Sequence, residues 1–240
     1  MKGVILAGGT GSRLFPLTKV TNKHLLPVGR EPMIYHPIRK LTGAGIEEIL
    51  VVTGVEHMGD VVNLLGSGKE FGCRFTYKVQ DEAGGIAQAL GLAEGFAASG
   101  PACVVLGDNV FADPLGPIAA RYRAQGNGAR LVLKRVPDPH RFGVAEVKDG
   151  RITSIEEKPR KPRSDLAVTG IYFYDSTVYE LIRGLEPSAR GELEITDVNN
   201  AYLLRGDLRY DLLEGWWSDA GTFDSLRKAG ELVEQDSSGR

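Results

Sequence analysis

Over the first 135 residues the hydrophobic pattern switches repeatedly between two periods. Apolar runs and alternations predict strands over 3–7, 48–53, 74–79, 102–107 and 129–136. Between them, apolar positions at helical spacing predict helices over 32–43, near 57–65, near 85–98 and near 114–125. Strand and helix in alternation favour a parallel sheet with helices on both faces. Pro32 follows Glu31 at the head of one apolar-periodic stretch, and it suits a first helical position because its missing N–H would be unsatisfied there anyway.

From about residue 142 the pattern changes. Phe142 to Val147 and Ile152 to Ile155 flank Asp149-Gly150, a dipeptide suited to the positive φ angles of a tight hairpin, so a β-rich insertion is expected. The chain then returns to a strand over 168–174, helices near 176–183 and 194–205, a strand over 208–213 and a last helix near 222–235. There is no internal repeat, low-complexity tract or linker, which argues for one continuous domain over 1–240 with parts at about 1–135 and 136–224. Only the tail from Asp236 to Arg240 reads as disordered.

Length and charge narrow the function classes. A chain of 240 residues buries roughly 70–75% of its unfolded surface by size scaling, so it folds without disulfides or structural metal. Lys and Arg number 29 against 31 Asp and Glu, a formal charge of -2 that gives no basic field for nucleic acid or an anionic membrane. Bound phosphates must therefore meet local positive groups. The two cysteines, Cys73 and Cys103, sit beside strand-like apolar residues and read as reduced, buried thiols. No window approaches the ~18 apolar residues of a membrane span, and Val4 to Ala7 is too short for a signal-peptide core, so a soluble, cytoplasmic protein is expected.

The first strand ends in Leu6-Ala7-Gly8-Gly9-Thr10-Gly11-Ser12-Arg13-Leu14. Three glycines and two hydroxyl residues strip bulk from the turn and let backbone N–H groups face an anion. A dinucleotide fingerprint from Gly9-x-Gly11 would need Gly or Ala where Leu14 stands, which argues against a nicotinamide-dependent dehydrogenase. A P-loop would need Gly-Lys-Ser/Thr where the chain has Gly11-Ser12-Arg13. What remains is a loop closed by Arg13 and followed by Lys23, a guanidinium fork and a point charge that suit a triphosphate losing pyrophosphate; two solvated surface cations are the plainer alternative. Further on, the run Ala102 to Leu106 delivers Asp108 at a strand's carboxyl end, where ligands bind in open α/β sheets. Asp219 precedes the last helix, where an N-cap role is the competing reading. Two carboxylates with phosphate oxygens make a hard-oxygen site suited to Mg²⁺. None of the four histidines has zinc-ligand spacing.

The strings LAGGTGSRLFPLT and NKHLLPV resemble the signature of the sugar-1-phosphate nucleotidylyltransferase family, specifically its glucose-1-phosphate thymidylyltransferase branch. Similar matches recur at Tyr77 to Gln80, Gly85 to Ala89, Leu106 to Asn109, Arg141 to Val144, Glu156 to Pro159, Val168 to Asp175 and Pro187 to Asp197, colinear to about residue 224. Ser12 and His24 stand where this branch more often carries Thr and Gln, and the chain ends soon after its last predicted helix, whereas longer members continue with helices that support assembly and, in some, an effector site.

The resemblance implies an α/β fold with a Rossmann-like, mostly parallel central sheet flanked by helices, and a smaller β-rich sugar-binding insertion. It implies Mg²⁺-dependent joining of dTTP (or UTP) to a hexose 1-phosphate by in-line attack on the α-phosphorus, with a possible homo-oligomer as the assembly. Leu6, Gly8, Gly9, Gly11, Ser12, Gln80 and Gly85 would meet the nucleotide, Gln80 and the Gly85 backbone holding the pyrimidine ring. Gly143, Glu157, Lys158 and Arg190 would meet the sugar and its phosphate, and Asp108 and Asp219 would share the metal ion. Arg13, Lys23, Asp108 and Lys158 would carry the catalysis. Solvent-facing roles stay open for Gln80 and for the Glu157-Lys158 strand end, whose two side chains would point opposite ways unless a bulge or turn at Pro159 brings them together. A uridylyltransferase, differing by recognition of one methyl, and a non-catalytic nucleotide-binding regulator on the same fold are the alternatives.

Overall fold

The computed structural model describes residues 1–238. The chain opens with strand β1 (Lys2–Ala7), passes through the glycine loop and three single-turn 3-10 helices, and forms a two-residue ladder of β2 (Pro27–Val28) with β3 (Glu31–Pro32) before helix α1 (Tyr35–Gly43). Strand and helix then alternate through β4 (Glu48–Gly54), α2 (Met58–Leu65), β5 (Arg74–Gln80), α3 (Ile86–Gly91), α4 (Glu94–Ala97) and β6 (Ala102–Leu106). A short β7 (Val110–Phe111) leads into α5 (Gly116–Gln125) and β8 (Ala129–Arg135). The insertion is a hairpin of β9 (Gly143–Lys148) and β10 (Arg151–Glu157), followed by the long β11 (Leu166–Tyr174). Helices α6 (Thr177–Arg183) and α7 (Ile195–Arg205), strands β12 (Leu208–Leu212) and β13 (Trp217–Ser218), and helix α8 (Phe223–Ser238) complete it.

Among the described residues, nine strands form one sheet. Its centre is parallel, in the order β5-β4-β1-β6, with Leu6 of β1 opposite both Val52 and Leu106. Beyond β6 the pairing of β11 is antiparallel: it runs against β6 through Ile171 to Tyr174, lies along β8 on its other edge, and meets β9 at Ala167, while β12 runs parallel to β8. Thus β11 joins the two parts of the chain in one backbone ladder. The continuous apolar run of β1 follows from burial on both faces. Val4 and Leu6 pack with residues of α3, α6 and α7, whereas Ile5 and Ala7 pack with residues of α1, α2 and α5. A third, small cluster of Val28, Met33, Val110, Ala220 and Ala229 docks α8 against β2.

The hairpin turn is as the sequence predicts, with φ of 50° at Asp149 and 74° at Gly150, and both cysteines are buried thiols. Three expectations need correction. Pro32 belongs to β3 and α1 begins at Tyr35, because Met33 and Ile34 donate their N–H groups to the carbonyls of Leu26 and His24 instead of starting a helix. The helix expected near 85–98 is two pieces separated at Leu92–Ala93. The tail continues α8 through Ser238, and of the segment expected to be disordered only Gly239 and Arg240 lie outside the described residues. Among the described residues no helix is long and apolar enough to cross a membrane.

Candidate active site

Gly8 follows β1, Gln80 ends β5 and Asp108 follows β6, so the carboxyl ends of three strands of the parallel part of the sheet open into one crevice. The glycine loop turns on positive φ values of 91° at Gly9 and 61° at Gly11. It is braced from behind, where Thr18 Oγ1 donates to the Gly11 carbonyl at 2.9 Å. Gly8 is required for a different reason: the Gln80 carboxamide occupies the space that a Cβ at position 8 would fill. Leu6, Gly8, Gly9, Arg13, Lys23, Gln80, Gly85 and Asp108 all line one cavity of about 300 Å³. Gly11 and Ser12 do not line it; their part is to shape the loop.

Lys23 is not a solvated surface charge. Its Nζ lies 2.6 Å from Asp108 Oδ2, and both side chains are largely buried. The segment before it is tied down by Asn22, whose Oδ1 accepts from the His24 N–H at 2.9 Å and lies 2.7 Å from His24 Nδ1, while its Nδ2 donates to the Ala7 carbonyl. The His24 ring is fully buried against Gly107, and burial, then the Lys23 charge, lowers its pKa to about 3. Burial also pushes the Asp108 carboxyl up, but the Lys23 ammonium and the hydrogen bonds of Lys23 and Asn109 outweigh it and hold the group below its ordinary value.

Asn109 connects this strand end to the last part of the chain. Its Nδ2 donates to Asp108 Oδ1 at 3.0 Å, while its Oδ1 accepts from the Gly170 N–H at 2.9 Å and from Trp217 Nε1 at 2.7 Å. With the β7–β13 ladder, that bridge brings the Asp219 turn to Asp108. A Cβ on Gly221 would lie 3.0 Å from the Asp219 carbonyl oxygen, 3.4 Å from Arg13 Nη2 and 3.6 Å from Asp108 Oδ2. Arg13, Asp108 and the Asp219 turn therefore converge, although the two aspartates stand 111 positions apart in the sequence. Asp219 does not cap the last helix; Thr222 Oγ1 accepts the Ser225 N–H in that role. Burial raises the Asp219 carboxyl and the Asp108 charge adds to this, against Arg141 and Arg13. Arg141 lies 3.2 Å from Asp219 Oδ2 and 2.8 Å from Asp138 Oδ2.

The residues expected at the sugar form a second group. Lys158 has φ 45°, a left-handed turn directly after β10 that lets its side chain and that of Glu157 share one side, with Nζ 3.3 Å from Glu157 Oε1. The turn is at Lys158 itself and not at Pro159. Arg190 Nη2 lies 3.5 Å from the same Glu157 oxygen, and Thr196 Oγ1 donates to Glu157 Oε2 at 2.7 Å. A Cβ on Gly143 would come within 3.4 Å of Glu157 Oε2. The loop carrying Arg190 docks on the nucleotide side: Leu193 donates to the Gly84 carbonyl at 2.8 Å and accepts from the Ala87 N–H at 3.2 Å. Gln80, only 7% exposed, is not the solvent-facing residue of the plainer reading.

Arg141, Asn109, Thr196 and Glu192, which lines the cavity, are not marked as site residues by the sequence alone, although each lies inside or beside one of the family-like strings. Their identities gave no separate signal, because a polar side chain acquires such a part only from what the fold sets opposite it.

Fold and site together define an α/β protein with a glycine-loop crevice, cations at its rim and a pair of aspartates converging beside it, the parts of a protein that handles polyphosphates. The family model for nucleotidyl transferases matches residues 2–236. A glucose-1-phosphate thymidylyltransferase of Neisseria meningitidis is 46% identical over 238 residues, 98% of this chain and 83% of that protein. Among solved structures, a provisionally assigned glucose-1-phosphate thymidylyltransferase from Bacillus anthracis, in complex with a sucrose, superposes with a TM-score of 0.94 at 60% identity, covering 97% of this chain and 95% of the other. A UDP-glucose pyrophosphorylase complexed with UDP-glucose superposes at 0.87 with 23% identity and 98% of each chain covered, a likeness of fold. The chain belongs to the nucleotidyl transferase family.

Proposed function

We propose that this protein joins dTTP and glucose 1-phosphate, giving dTDP-glucose and pyrophosphate, with Mg²⁺ bound at Asp108 and Asp219. The observation that carries the reading is the convergence of Arg13, Asp108 and the Asp219 turn at the mouth of the glycine loop. The names of relatives at 43–46% identity support the choice of substrates. In this reading residues 1–135 supply the nucleotide side, and residues 136–224 the sugar side.

The donor set fits Mg²⁺. Two hard carboxylates leave the remaining positions to water and phosphate oxygens, and among the described residues there is no cluster of three or more acidic, His or Cys ligands that would suit a fully protein-bound ion. Asp108 and Asp219 would hold the ion, whose positive charge would offset the repulsion that helps raise the Asp219 carboxyl. When bound, the ion neutralises phosphate charge and orients the oxygens of both substrates. The protein's own groups do the rest by position. Lys158 and Arg190, gathered at Glu157, hold the sugar phosphate so that its oxygen lines up with the α-phosphorus. Lys23, on the cavity wall, would meet the α-phosphate, and Arg13 with Gly8 and Gly9 would receive the departing pyrophosphate. No covalent intermediate is required.

Pyrophosphate release with Mg²⁺, across dTTP, UTP, CTP, ATP and GTP against several hexose 1-phosphates, tests this. The dTTP and glucose 1-phosphate pair is expected to dominate, and chelation by EDTA to abolish it. Arg13→Ala should lower kcat by roughly 10²–10³ with an unchanged melting temperature. No release from any pair would overturn the proposal.

A further inference from the structure

Gln80 is held by one end of its carboxamide. Its Nε2 lies 2.6 Å from Gln88 Oε1 and 3.5 Å from the Gly85 carbonyl oxygen. A backbone carbonyl can only accept, so the amide end turned toward Gly85 is the NH₂, and the same NH₂ donates to Gln88. That leaves Oε1 over Gly8, on the side of the cavity. Gln88 is on α3, three residues past Gly85, and its stem rests on Gly84, where a Cβ would come within 3.0 Å of Gln88 Cγ. Gln88 is not among the residues lining the 300 Å³ cavity. Its acceptor oxygen meets Gln80 Nε2 from a helix that begins at the turn of Gly84 and Gly85, which Leu193 in turn braces.

We infer that Gln88 is a specificity-determining positioning residue, which, by accepting the Gln80 N–H, presents Gln80 Oε1 and not its NH₂ to the bound base. The inference rests on the function proposed above. A carboxamide turned through 180° exchanges donor for acceptor at almost no change in shape, so an unpinned Gln80 would serve two kinds of pyrimidine. Thymine and uracil carry a hydrogen on ring N3 and need an acceptor there. Cytosine has a bare N3 and needs a donor. Pinning the NH₂ against Gln88 and Gly85 leaves a fixed acceptor, which suits the first pair and places two acceptors face to face for the third.

The test is the ratio of kcat/KM for dTTP and UTP over that for CTP, measured by pyrophosphate release with glucose 1-phosphate. Gln88→Leu removes the acceptor at similar volume, and the ratio should fall about tenfold, mainly through improved use of CTP. Gln88→Glu keeps an acceptor and offers no donor, and should retain wild-type selectivity; a variant damaged only in its packing would lose activity on all three alike. If Gln88→Leu does not fold, Gln88→Asn, which withdraws the acceptor by one methylene, should lower the ratio in the same direction. Unchanged selectivity in Gln88→Leu, or loss of it in Gln88→Glu, would sink the inference alone. A wild-type protein that uses CTP as readily as dTTP overturns the reading beneath it, and the inference with it.

Discussion

Single side chains at this site are set by their surroundings more than by their chemistry. His24 is the clearest case. An imidazole with ordinary pKa 6.5 is buried against Gly107, beside the Lys23 ammonium, and is lowered to about 3. A base whose folded pKa is depressed contributes stability above its unfolded pKa and withdraws it as the pH falls through 6.5 toward that lower value. Between pH 7 and pH 5 this costs about 2 kcal/mol for one such histidine. His24→Gln, which puts in the residue this branch more often carries, should therefore flatten the acid limb of stability by that amount, measured as urea midpoints at the two pH values. Parallel losses in both proteins would show that other groups govern the limb. The burial of His24 was not visible in NKHLLPV, where it is flanked by a cation and two leucines and could face either way.

At the scale of elements, short pieces with weak patterns do the joining. The two-residue strands β7 and β13 have no periodicity to betray them, yet their pairing, with Asn109, holds the Asp219 turn beside Asp108. Asn109→Ala would leave the Gly170 N–H and the Trp217 indole N–H without their acceptor. Each buried donor so stranded costs about 1–3 kcal/mol. A loss of roughly 2–4 kcal/mol in chemical denaturation is expected, and turnover should fall by more than the folded fraction explains, because the two carboxylates lose their common tether. An effect on stability without one on turnover would separate Asn109 from the site. The longer elements, by contrast, were legible. β1, β4 and β6 have apolar runs long enough to require burial on both faces, and the hairpin at Asp149-Gly150 was marked by a dipeptide that suits its two positive φ values.

For the molecule as a whole, the two parts of the chain share the backbone of β11 and close again where the Arg190 loop meets Gly84 and Gly85. Gly85 has φ 98°, and a Cβ there would stand 2.5 Å from the Leu193 carbonyl oxygen. Gly85→Ala should push the loop away and lower kcat/KM by about a hundredfold, as expected for an ångström of misplacement between reacting groups. Gly126→Ala serves as the control, since φ there is 88° but nothing lies within 4 Å; it should lose stability alone. Equal activity losses in the two variants would attribute the effect to backbone strain and not to docking. The amino-acid order by itself determined the alternation of strands and helices, the glycine loop and the candidacy of Arg13, Lys23 and Asp108 at the strand ends, because periodicity, turn chemistry and phosphate-binding composition are local properties of a chain. Only the tertiary structure decided that Asp108 meets Lys23, that Asn109 spans three segments, that Lys158 turns back to Glu157 and that Gln88 orients Gln80. Such pairings depend on which strand ends lie side by side, and separation along a sequence carries no record of distance in space.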